Sequence, residues 1–477
     1  IGVLAGGGIA LWSYLQLRKS EDDLLESARL KKLMLVGLIA GGISLFLLII
    51  TSVAGLIVRS SATKADKTPK SQSVSASFVL PSSLSSYEKI LNHVPSRNER
   101  NVQRTTQIIL GLSEAVNTKS VATDAGELRA ESILVQYVQS GGSYGAPLPA
   151  SVRFSQQDTS ITVIQKEPLG EEGKKQLVRV TVTKKILTQR GTPLLPDDEG
   201  YSWEFEVSGL LDQAPPFVET FLPRYSTSSA VERFAPNSLI QITFNESLDT
   251  QSFQDQFVTV FDETHNTIVD GHIVPGNKFR TVSFIPNKEC AKNACGEPMY
   301  CLPLSSTLKV TVKTASKDPS ASAGSSKAAY PFIGIVDTAG NALDGGGERG
   351  AGKNGTADNS PVDDFTARFA TTAELDFRQP TISGIGPARD AVRVSAETPV
   401  EVLFSKMMDV TSIHTGTIQI KPAVNYSLNP RHDFQSQTTK ITIDHDPFLK
   451  STVYSPEVLS DVRDSTQNCF SQCLGPR

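Results

Sequence analysis

Apolar and polar residues alternate with period two along much of the chain. "LIQITF" (239–244), "RTVSFIP" (280–286), "TLKVTVKT" (307–314) and "KQLVRVTVTKK" (175–185) are examples. Such alternation predicts half-buried antiparallel strands. In "LIQITF" it places Ile240, Ile242 and Phe244 in a core, with Leu239, Gln241 and Thr243 on the opposite face. The same offsets recur at Val400, Val402 and Phe404, and at Ile108, Leu110 and Leu112 with Gly111 between them. Two earlier stretches break the pattern. Residues 33–58 run for 26 positions without a charge, and residues 1–17 are also uncharged. About 20 apolar residues suffice to cross a bilayer, so 33–58 is expected to be a transmembrane helix and 1–17 the end of another, its start cut away.

The strand that opens "QITFNESLDTQSF" (241–253) leads into a polar turn, and the chain repeats this unit at "IILGLSEAVNTKSV" (108–121) and "EVLFSKMMDVTSI" (401–413). A proline precedes each copy, Pro95, Pro223 and Pro387, and a strand with a polar turn follows each, at 184–194, 333–343 and 460–468. Alternating aromatic strands, "YSWEFEV" (201–207) and "DFTARFA" (364–370), close two of the units. The third has no counterpart before residue 477, which predicts that the natural chain continues. Several short strands with turn signals between them make each unit a β-sandwich. The expected fold is mainly β: tandem Ig-like antiparallel sandwiches after an N-terminal helical hairpin. The expected segments are the hairpin at 1–58, a Ser/Lys-rich linker at 59–87, and sandwiches at 88–213, 214–378 and 379–477.

The loop between the two apolar stretches, 18–32, carries five Lys/Arg and four Asp/Glu. The positive-inside rule makes it cytoplasmic, which sends everything after 58 outward. The net charge of −4, without a Lys/Arg cluster, argues against nucleic acid.

Five cysteines fall in two groups: Cys290, Cys295 and Cys301 in one loop, Cys469 and Cys473 near residue 477. Local clusters of this kind suggest disulfide-closed loops in an oxidising compartment. Cys290–Cys301 and Cys295–Cys301 are both open, and Cys469–Cys473 is a further expected loop. A zinc site is the weaker reading, because paired Cys motifs and a fourth ligand are missing.

Asp337, Asn341 and Asp344, on a Gly-rich loop, offer oxygens of the kind calcium takes, but without the D-x-D-x-D-G spacing. Otherwise no cofactor is expected. Six scattered histidines and the lack of a catalytic motif argue against an enzyme. The variable signature residue is Glu114, Glu246 or Lys406, so it changes charge between copies and reads as surface. Asn117, Asp249 and Asp409 read as caps of the short turn that follows each.

The proline entry, the "I.I.F…(M/L)D..S" opening and the "VDTAGNAL" turn (336–343) resemble SbsA-type bacterial Ig-like domains, found in tandem on surface-layer and other cell-surface proteins. Residues 8–57 are similar to the helical hairpin of pilin-like membrane proteins. The resemblance implies a membrane-anchored structural or adhesive surface protein. Its expected partners are the membrane, with another surface protein, a glycan, an envelope component or a copy of itself. The second expectation is a pilin-like or secretion-apparatus subunit with Ig-like outer domains.

Overall fold

The computed structural model describes residues 89–196, 200–224, 232–317, 331–358 and 360–471. The expected hairpin and linker lie outside these, as does Cys473. Among the described residues no helix is long and apolar enough to cross a membrane. The described chain is mainly β and forms three sandwiches.

In the first, a four-stranded antiparallel sheet runs Ile90–Val94, Ile108–Leu112, Ser160–Gln165, Ala150–Ser155. It faces a three-stranded sheet of Ile133–Tyr137, Gln176–Val182 and Tyr201–Val207. Ile108, Leu110, Val180, Trp203 and Phe205 fill the space between them. The second repeats the first sheet as Val218–Leu222, Ile240–Phe244, Thr281–Pro286 and Gly271–Gly276. Its second sheet is built on Val258–Asp262, Thr307–Val312 and Phe365–Thr371. The third has Ile382–Gly386, Val400–Phe404, Thr438–His445 and Tyr426–Asp433 in one sheet. Opposite it stand only Ile418–Lys421 and Ser455–Val458, and no closing strand follows among the described residues.

The signature strands carry the predicted alternation: Ile240, Ile242 and Phe244 are fully buried, as are Ile108 and Leu110. The prolines that enter the three units, Pro95, Pro223 and Pro387, all follow cis peptide bonds. In every unit the signature turn is bridged to the downstream turn: Val116 to Thr188, Leu248 to Asp337, Met408 to Asp464. Thr188, Asp337 and Asp464 are therefore one position seen three times.

One expectation needs correcting. In half-buried strands the face opposite the core, with Leu239 and Gln241, is expected to be the more open one, yet both are buried, at 2% and 1% exposure. The third sandwich covers that face. Ile109, equally outward in the first sandwich, is fully buried and belongs to the apolar cluster of the second.

Candidate functional site

The capped turns act at the joints between sandwiches. Asn117, Asp249 and Asp409 each hold an extended backbone and accept from the amide two residues on, that of Lys119, Gln251 and Thr411. This satisfies a donor that the short helical turn leaves open. Two of the caps reach further. Asp249 pairs with Arg153 of the first sandwich, their side chains 5% and 9% exposed. It also accepts from Gln107 Nε2 at 3.2 Å. Beside it, the Thr250 and Thr162 hydroxyls meet at 2.8 Å, and Gln251 Nε2 donates to the Phe154 carbonyl at 3.3 Å.

Asp409 occupies the matching place on the second sandwich. Its Oδ1 accepts from Gln241 Nε2 and Ser283 Oγ, both at 3.2 Å. Burial pushes its carboxyl above the ordinary range, against the hydrogen bonds from Thr411 and Ser283. Thr411 lies on Gly276, where a Cβ would fall 2.5 Å from the Thr411 Cα, so the approach requires glycine. The first and third sandwiches also touch: Thr415 Oγ1 donates to the carbonyls of Ile90 at 3.0 Å and Leu91 at 3.2 Å. Nearby, Lys278 of the second donates to Asn429 Oδ1 of the third at 2.8 Å.

A disulfide adds to the second joint. Cys290 pairs with Cys301 within one hairpin, and Cys295 pairs with Cys469 across 174 residues. The expected Cys469–Cys473 loop is thereby corrected. The turn at 460–468 packs on the hairpin of Glu289–Lys292 and Pro298–Tyr300, where Gln467 receives the Tyr300 amide and donates to its carbonyl. Asn293 donates to the Gln467 carbonyl. That packing brings the Cys295 and Cys469 Cα atoms to 6.4 Å, within reach of a bond.

The acidic residues cluster differently from the sequence grouping. Asp337 accepts from the amides of Ala339 and Asn341 and from the Asn341 side chain. Asp344 turns to another loop, accepting from the amides of Asn354 and Gly355. Among the described residues, the acids that converge are Asp212, Glu246 and Asp337, with one oxygen of each within 4.8 Å of the others. Burial first, then the charges of Asp337 and Asp212, push Glu246 up to about 8. Burial also raises Asp337 to about 6. In the third sandwich the same three positions are Asp376, Lys406 and Asp464, and the Lys406 ammonium pairs with both carboxylates. In the first, Glu114 pairs with Lys89. The variable signature residue therefore sits at a half-buried electrostatic junction. Its change of sign between copies, which reads as a mark of surface, reflects different ways of balancing that junction.

The bacterial Ig-like domain family matches residues 376–473, the third sandwich. The first two sandwiches repeat its strand order and the bridge between its two turns. No curated protein matches the chain. Among solved structures, it is similar to the copper resistance protein PcoC from Escherichia coli at 18% identity, covering 25% of this chain and 97% of that one, with a TM-score of 0.19. CopC from Methylosinus trichosporium OB3b matches at 15% identity, 25% and 91% coverage and a TM-score of 0.16. The N-terminal part of the bacterial S-layer protein SbsC matches at 11% identity, 51% and 44% coverage and a TM-score of 0.17.

Proposed function

We propose that the chain is a cell-surface structural protein, held to a membrane by the apolar segments within 1–58 and presenting its Ig-like sandwiches outside the cell. The observation that supports this reading most is the set of joints. Buried polar side chains and one disulfide unite three sandwiches into a single block. A block of this kind suits a rigid spacer or platform better than a chain of independently swinging binders. The two disulfides fit an oxidising compartment. The role is non-catalytic, and the partner is an envelope component, a glycan or another surface protein.

The test is topological. A tag placed in the exposed 351–357 loop of the full chain, expressed in bacteria, should be removed by protease added to intact cells. A tag protected until lysis would overturn the surface assignment. Release of the full chain from membranes by alkaline carbonate would overturn the anchor.

A further inference from the structure

Lys278, half-buried at the second joint, has no paired carboxylate among the described residues. It stands in the turn between the strands Gly271–Gly276 and Thr281–Pro286. Asn277, Lys278 and Phe279 are all left-handed there, at φ 49°, 57° and 60°. The turn is held in place, because Phe279 is buried in the core of the second sandwich and Ser247 Oγ donates to the Lys278 carbonyl at 2.9 Å. The lysine Nζ thereby reaches the third sandwich and meets Asn429 Oδ1 at 2.8 Å. Burial lowers the Lys278 pKa below its ordinary range; the charges of Glu99 and Asp444 oppose the shift and that of Arg280 adds to it.

Asn429 is gripped from its other side. It lies opposite Thr442 in the sheet, which puts Asp444 at the diagonal position on the same face. Asn429 Nδ2 donates to Asp444 Oδ2 at 2.6 Å. An amine, a carboxamide and a carboxylate therefore lie in a row across the joint. As a joint contact alone the lysine is a poor choice, since desolvating its charge costs more than one hydrogen bond to an amide returns. As a nucleophile it is well placed, because desolvation favours the unprotonated amine and the atom bonded to its partner oxygen is an electrophilic carbon.

We propose that Lys278 and Asn429 become joined by an amide bond between their side chains, fastening the second sandwich to the third. The lone pair of the neutral Nζ attacks Asn429 Cγ and forms the new C–N bond. The Asp444 carboxylate takes the proton shed by Nζ and returns it to Nδ2. The Cγ–Nδ2 bond then breaks and ammonia leaves, so that no oxidant or other reactant is consumed. Asp444 is exposed, which gives the ammonia a way out to solvent. The bond is independent of the surface location proposed above, since its formation needs only the folded joint. The test is mass spectrometry of the full chain with its disulfides reduced. The chain should be lighter than its sequence by one ammonia, and digestion should leave the peptide containing Lys278 joined to the one containing Asn429. The joined pair distinguishes this bond from ammonia lost elsewhere. Lys278→Arg, which keeps the charge, should abolish the joined pair, and Asp444→Asn should slow its formation about a hundredfold, with circular dichroism unchanged in both. Recovery of Lys278 and Asn429 only in separate peptides, from folded wild-type chain after prolonged incubation, would overturn the proposal. A joined pair formed as fast in Asp444→Asn as in wild type would overturn the part given to Asp444.

Discussion

Replacing Glu246 by Lys should stabilise the second sandwich, and the gain should grow with pH. In the folded protein Glu246 keeps its proton up to about pH 8, whereas its ordinary value is 4.5. The folded state therefore binds the extra proton. The stability this provides is complete below pH 4.5 and is lost as pH rises to about 8. At about 1.4 kcal/mol per unit, full linkage would be about 5 kcal/mol, and solvent screening at a half-buried side chain trims it to about 2–3 kcal/mol. Glu246→Gln removes most of that dependence and leaves the smaller part due to Asp337. Glu246→Lys goes further, because it installs the ammonium that Lys406 already supplies between Asp376 and Asp464. For a sandwich of this size the gain at pH 8 corresponds to roughly 5–10 °C in melting temperature. Calorimetric scans of the full chain and both variants between pH 5 and about pH 9 measure it. Wild-type melting that is flat across this range, or a Lys variant that melts lower at pH 8, would refute the reasoning.

Further substitutions separate capping from joint formation. Asn117→Ala should cost about 1 kcal/mol, the value of a cap, whereas Arg153→Ala should cost about 3–5 kcal/mol by stranding Asp249 in a buried contact; urea denaturation of the full chain distinguishes them. Asp409→Asn keeps the acceptor oxygen and removes a carboxylate whose pKa burial has raised. Its stability should therefore fall less than that of wild type as pH rises, and Asp409→Ala should be the worse substitution at every pH. Cys295→Ser with Cys469→Ser removes a cross-link over 174 residues, worth about 5 kcal/mol in chain entropy. Faster hydrogen exchange at the Leu239 amide, which donates to the Ser465 carbonyl at 2.8 Å, would report the loosened joint.

The sandwiches could be read from the sequence because a strand's core face depends on alternation within five residues, as at Ile240, Ile242 and Phe244. The caps were readable for the same reason, since Asp249 and Gln251 are neighbours in the chain. The joints were not. Gln241 on an outward face looks like any solvated amide, and only the docking of a unit 168 residues away makes it a buried donor to Asp409. Ile109 and Leu239 were the available hints, apolar side chains where alternation calls for polar ones. Cys469 misled because proximity in sequence favoured Cys473, whereas the packing of Gln467 on Tyr300 chose Cys295. The role of Glu246 stayed hidden because its neighbours Asp212 and Asp337 come from a hinge and a distant turn.

The contact from Thr415 to the Ile90 carbonyl spans 325 residues, and this sets a timetable for synthesis. A bacterial ribosome adds roughly 5–20 residues per second, so the edge strand Ile90–Val94 waits on the order of tens of seconds for its last neighbour to emerge. Throughout that interval an unpaired strand edge on a folded sandwich is open to other nascent chains. The His93 ring, with one nitrogen on the Pro95 carbonyl at 2.7 Å and the other on the Tyr201 hydroxyl at 3.1 Å, draws the end of that strand onto its own sandwich meanwhile. These bonds fix the end of the strand on its own sandwich before the third sandwich arrives.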